Sequence, residues 1–117
     1  MAVMPPMAVV ETEEFLNRAR AVLTETERAD LVAYLGASPE AGRLVPGTGG
    51  LRKIRWGTAG RGKRGSARVI YYYYNRSSPL FALDIYAKNE KASLSEADKR
   101  GLKRLLPILA STYLRRS

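Results

Sequence analysis

Apolar positions along the chain recur with two different periods. Phe15, Leu16, Ala19, Val22 and Leu23 fall at helical spacing, behind Thr12 as N-cap and with Glu13 and Glu14 in the first turn. Thr24 and Glu27 fit a capping box ahead of Leu31, Val32, Tyr34 and Leu35, and Gly36 reads as the stop of that second helix. Two helices joined this closely predict an antiparallel hairpin. Residues 7–11 before them read as a short strand, and residues 36–50 as loop. From there the period drops to two: residues 52–56, 68–74 and 80–87 predict three strands, the first two linked by the glycine-rich run 57–66. Ser93 and Glu96 fit another capping box, opening a terminal helix with Leu102, Leu105, Leu106, Leu109 and Tyr113 on one side and Pro107 set to kink or split it. Helices before and after a block of hairpin-linked strands predict an α+β fold. In it the helices cover one face of a mostly antiparallel sheet and the other face stays free.

Length and composition narrow the chemistry. The 117 residues make one domain, read as 7–117 behind a flexible tail at 1–6 that contains Pro5 and Pro6. With no cysteine and no histidine, thiolate sites, disulfides and the usual general base and metal ligand are excluded, so no metal or cofactor is expected. Catalysis would have to run on Lys, Arg, Tyr, Asp, Glu or Ser. The absence of cysteine fits a cytoplasmic protein. No run approaches the ~18 apolar residues of a membrane span, and the N-terminus does not read as a signal peptide.

Charge then singles out one region. The formal net charge is +9, yet residues 41–83 contain no Asp or Glu against nine Lys and Arg. A positive field confined to one segment points to a polyanion. Strand parity sharpens this: with Ile54 and Trp56 buried, Lys53 and Arg55 project from the opposite face. On the last strand, Phe81, Leu83 and Ile85 form one apolar row and leave Asp84, Tyr86 and Lys88 on the other side. Arg68 belongs with Lys53 and Arg55, because burying an unpaired guanidinium costs more than exposing Ile70. About half of the tyrosines at 71–74 are expected in the core. The outcome would be a cationic face with interleaved rings, suited to single-stranded nucleic acid. The plainer account, solvated strand faces carrying charge for solubility and edge protection, does not explain so many cations without one acid.

Within that face, ribonucleolytic transfer assigns Lys53 and Lys88 as candidate proton carriers, since crowded cations lower a lysine's pKa, and Arg55 and Arg68 as phosphate stabilisers. Arg52, Arg61, Lys63, Arg64 and Tyr86 are candidate RNA contacts, and Glu90 a base or a salt-bridge partner. The run GTAGRGKRG is no P-loop, because no Gly-Lys-Ser/Thr closes it before a helix; it reads as a backbone clamp or an ordinary long hairpin loop.

The runs GTGGLRKIRW, GRGKRGSARVIYYYY and LDIYAKNEKASLSEADKR, in this order, resemble the HigB branch of the RelE/ParE toxin superfamily over roughly residues 8–110. The resemblance implies a RelE-like fold, with two N-terminal helices on a small sheet and a C-terminal helix. It also implies the toxin of a type II toxin–antitoxin pair: a ribosome-dependent, metal-independent mRNA interferase. Its partners would be the ribosome, mRNA and a cognate antitoxin, usually a helix-turn-helix DNA-binding protein. Lys53, Arg55, Arg68 and Lys88 match the family's basic positions in turn, while Asn89, carried over as an RNA contact, replaces a second basic residue. No residue clearly matches the family's C-terminal catalytic tyrosine. The ParE side of the superfamily acts on DNA gyrase, so gyrase inhibition is one alternative function, and a non-catalytic RNA-binding module is another.

Overall fold

A computed structural model describes residues 6–57, 66–88 and 94–114. The elements are β1 (Val9–Glu11), α1 (Glu13–Val22), α2 (Glu25–Ala37), β2 (Arg43–Leu44), β3 (Leu51–Gly57), β4 (Ser66–Tyr72), β5 (Leu80–Ala87) and α3 (Glu96–Leu114). The strands form one sheet in the order β1-β5-β4-β3-β2, with β1 parallel to β5 and every other pair antiparallel. The α+β architecture is therefore as the hydropathy pattern predicts.

Local chemistry sets the helix ends. Thr12 Oγ1 accepts from Phe15 N at 3.2 Å and donates to Ala82 O at 3.0 Å, so one side chain starts α1 and ties it to β5. Thr24 and Glu27 make the expected capping box through reciprocal bonds of 2.8 and 3.1 Å. Gly36 does not stop α2, which runs on to Ala37 and closes through Ser38 N to Tyr34 O. Its glycine has another cause: Met7 N donates to Gly36 O, and a Cβ there would lie 2.8 Å from Met7 O. At α3 the reciprocal cap is made by Ser95 and Asp98, at 3.0 and 3.2 Å, and the predicted partner Ser93 lies outside the described residues. Pro107 does not split α3, which continues through it to Leu114.

Two cores lie on opposite sides of the sheet. Phe15, Ala19, Leu23, Leu31 and Leu35 of the first two helices pack on Val69, Tyr71, Leu80, Ala82 and Ile85. On the other side Leu94, Leu102, Leu106 and Leu109 pack with Leu51, Ile70, Tyr72, Phe81 and Leu83. The second face is thus not free, as expected, but half roofed by α3. Its apolar patch is too large to leave wet at about 25 cal/mol per Å².

The sheet also departs from simple alternation on β5. Ile70 pairs with Asp84 but Tyr71 pairs with Ala82, so Leu83 is an extra residue in the ladder. Phe81 and Leu83 consequently join the α3 side, whereas Ile85 joins the helical-hairpin side, which breaks the predicted single row. Of the tyrosine run, Tyr71 and Tyr72 are core, Tyr73 is half-buried and Tyr74 is exposed, with β4 ending two residues earlier than predicted.

Candidate nucleic-acid interface

Beyond the rim of α3, the same sheet face carries the cations. Arg55 lies directly opposite Arg68 on β4, and Arg68 directly opposite Tyr86 on β5. Lys53, one pleat further along β3, pairs with Ile70 at the border of the apolar cluster. Directly opposed residues share a face, so strand pairing alone gathers Lys53, Arg55, Arg68 and Tyr86. Lys88 joins them: its N–H donates to Ser66 O at 3.1 Å, continuing the ladder, and Ser66 Oγ accepts from Arg68 Nη1 at 2.8 Å. Ser66 therefore holds the Arg68 guanidinium towards the Lys88 end of the strand.

The electrostatics of this end are unbalanced. Lys53, Arg55, Arg68 and Lys88 form no ion pair with any described carboxylate. Two guanidinium-bearing residues opposed across a ladder repel each other. An anion laid between them removes that repulsion. Burial pushes the Tyr86 hydroxyl up from its ordinary range, with the Arg68 charge working in the opposite direction. Tyr86 therefore stays a protonated hydroxyl at neutral pH, buried beneath the cations in the cluster under α3.

Not every predicted contact is here. Arg52 has the parity of Ile54 and points to the opposite face, where Nη1 donates to Gly42 O at 2.8 Å and Glu40 O at 3.2 Å. Tyr71 Oη donates to Pro39 O and accepts from Gly42 N, each at 2.8 Å, so Arg52 and Tyr71 together pin the 39–42 loop. Arg52 is a structural residue and not part of the cationic end. Arg61, Lys63, Arg64, Asn89 and Glu90 lie outside the described residues. The structure adds one cation that sequence reading left in a loop: Arg43, on the two-residue edge strand β2, lies directly opposite Lys53. Its signal was faint, a lone Arg four residues before a glycine-rich turn, and only the pairing gives it a face.

Among the described residues no group of His, Cys, Asp and Glu side chains is placed to hold a metal ion, and no helix is long and apolar enough to cross a membrane. The chemistry on offer is charge stabilisation by guanidinium groups and proton transfer by an amine.

No family model matches the chain. Among solved structures it resembles the E. coli toxin RelE, determined in the free state as a double arginine-to-alanine mutant. The TM-score is 0.56 at 23% identity, covering 82% of this chain and 98% of that one. The two proteins share a fold: helices and a mostly antiparallel five-stranded sheet arranged as in RelE.

Proposed function

We propose that this chain is a HigB-type toxin of a type II toxin–antitoxin pair, a metal-independent endoribonuclease that cuts mRNA on the translating ribosome. One observation carries the reading. On a RelE-like fold, Lys53, Arg55, Arg68 and Lys88 converge on one sheet face above the buried Tyr86, with no described carboxylate paired to them.

The site suits attack by a ribose 2′-oxygen on the neighbouring phosphate. An amine, Lys53 or Lys88, takes the 2′-OH proton. The oxygen bonds to phosphorus, the bond to the 5′-oxygen breaks, and a proton delivered to that oxygen by the other lysine's ammonium yields a 2′,3′-cyclic phosphate and a 5′-OH end. Arg55 and Arg68 remain charged throughout and face the extra negative charge of the five-coordinate phosphorus. Tyr86, buried beneath the two arginines' face, is a packing support for the site and does not itself meet the RNA. In this reading the ribosome presents the mRNA, the protein works in the cytoplasm, and a cognate antitoxin, of helix-turn-helix type, masks the cationic end with an acidic or amphipathic segment.

The test is to express the chain in translating cells and map the 5′ ends of cleaved mRNA. Arg68→Ala is expected to lower cleavage by roughly 10²–10³-fold while the protein still folds cooperatively, with no loss of melting temperature large enough to account for it. Intact mRNA with inhibited DNA supercoiling would replace this reading by gyrase poisoning. Salt-sensitive RNA binding with no cleavage under any translating condition would reduce it to a binding module.

A further inference from the structure

We propose that Arg43 is an additional phosphate-binding residue, and that it makes the bound RNA cross the sheet from β5 towards β2 instead of running along a strand. The inference rests on the ribonuclease reading above and names a binding position that reading does not contain.

The register places Arg43 opposite Lys53 and Leu44 opposite Arg52. Arg43 therefore shares the Lys53 face, while Leu44 shares the face on which Arg52 pins the 39–42 loop. Val45, two residues on, confirms the side by packing into the cluster beneath α3. Arg43 is exposed and forms no ion pair with a described carboxylate.

The direction follows from where the cations recur. Followed along a strand, they end within two residues: Arg68 gives way to Ile70, and Lys53 to Leu51, both sealed under the α3 cluster. Followed across strands, they continue, from Lys88 past the end of β5 to Arg68 on β4, Arg55 and Lys53 on β3, and Arg43 on β2. Three strand steps of about 4.8 Å each give a row about 15 Å wide, which a strand of a few nucleotides covers. β2 is the last strand of the sheet, so the row opens to solvent there. Arg43 stands at that end, beyond Lys53 and away from Arg68. It grips a phosphate other than the scissile one, and so contributes to binding and not to the chemical step.

Uncleavable 2′-O-methyl RNA oligomers of two and six nucleotides, titrated with wild type and variants by fluorescence anisotropy across a salt series, test this. Arg43→Ala should weaken the hexamer by roughly tenfold and reduce the magnitude of its salt slope by about 0.7, leaving the dinucleotide unaffected. Arg43→Lys should restore the salt slope. On programmed ribosomes at saturating toxin, Arg43→Ala should cut at the wild-type rate, and only its half-saturating concentration should rise. Equal weakening of both oligomers would overturn the inference, because Arg43 would then act only through the general field. Hexamer binding that depends on Arg68 but not on Arg43 would sink this inference alone. Binding of neither oligomer by wild type would overturn this inference, and only the further absence of cleavage on programmed ribosomes would take the ribonuclease reading down with it.

Discussion

The α3-facing side of the sheet carries two opposite surfaces on the same strands. At one end Leu51, Ile70, Phe81 and Leu83 lie under the leucines of α3. One pleat further along, Lys53, Arg55 and Arg68 share the same face, with Tyr86 buried at the edge of that cluster. The Lys53–Ile70 pair is the border, a cation beside a residue with no exposure at all. Each large apolar side chain sealed at the first end contributes about 1.5–3 kcal/mol. The opposed arginines at the second cost about 0.2–1 kcal/mol. The difference shows how a domain this small carries a charge cluster that no described carboxylate pairs: the cost is local and modest, and the neighbouring burial on the same strands exceeds it.

Three substitutions probe that division, beginning with the largest effect. Phe81→Ala empties the centre of the sealed end and should lower unfolding free energy by about 3–5 kcal/mol in urea denaturation. A loss below about 0.5 kcal/mol, the scale of an ordinary surface change, would mean that α3 does not seal this end. Pro107→Ala acts on the roof itself. Pro107 is exposed inside a continuous helix, where proline is the least favourable residue, so the variant should gain about 1–3 kcal/mol. Thermal melting with no gain would show that α3 ends or bends at that point. Arg55→Gln removes one of the two opposed charges at the open end and should stabilise by about 0.2–1 kcal/mol. That gain should shrink as salt screens the remaining repulsion, and a salt-independent change would contradict electrostatic crowding.

What could be read from the sequence follows the range of the interaction involved. Thr12 and Thr24 were legible as caps because their partners lie three residues away. The limits of β5 matched at both ends, and the parity of β3 correctly put Lys53 and Arg55 on one side. Arg68 was placed with them by the cost of burying a guanidinium, and its pairing with Arg55 agrees. Features set by distant neighbours were missed. β2 is two residues long and exists only because β3 lies beside it, so the sequence pattern around Arg43 reads as loop. Arg52 was counted with the contacts on charge alone, although its parity with Ile54 already sends it to the other face. The covering of the second face by α3 depends on leucines some twenty residues away from the strand they cover, and nothing local announces it.

The extra residue at Leu83 has a consequence for how the chain tolerates change. With the ladder in strict alternation from Ala82 onward, Ile85 would look towards the arginines and Tyr86 towards the helical hairpin. Deleting Leu83 would therefore be absorbed, leaving Ala82 opposite Tyr71 and Asp84 opposite Ile70 in a regular ladder with Ile85 and Tyr86 on their present faces. Keeping all the residues and losing the bulge would instead turn the end of the strand over. The hydroxyl at the floor of the cluster owes its orientation to a miscount between two strands.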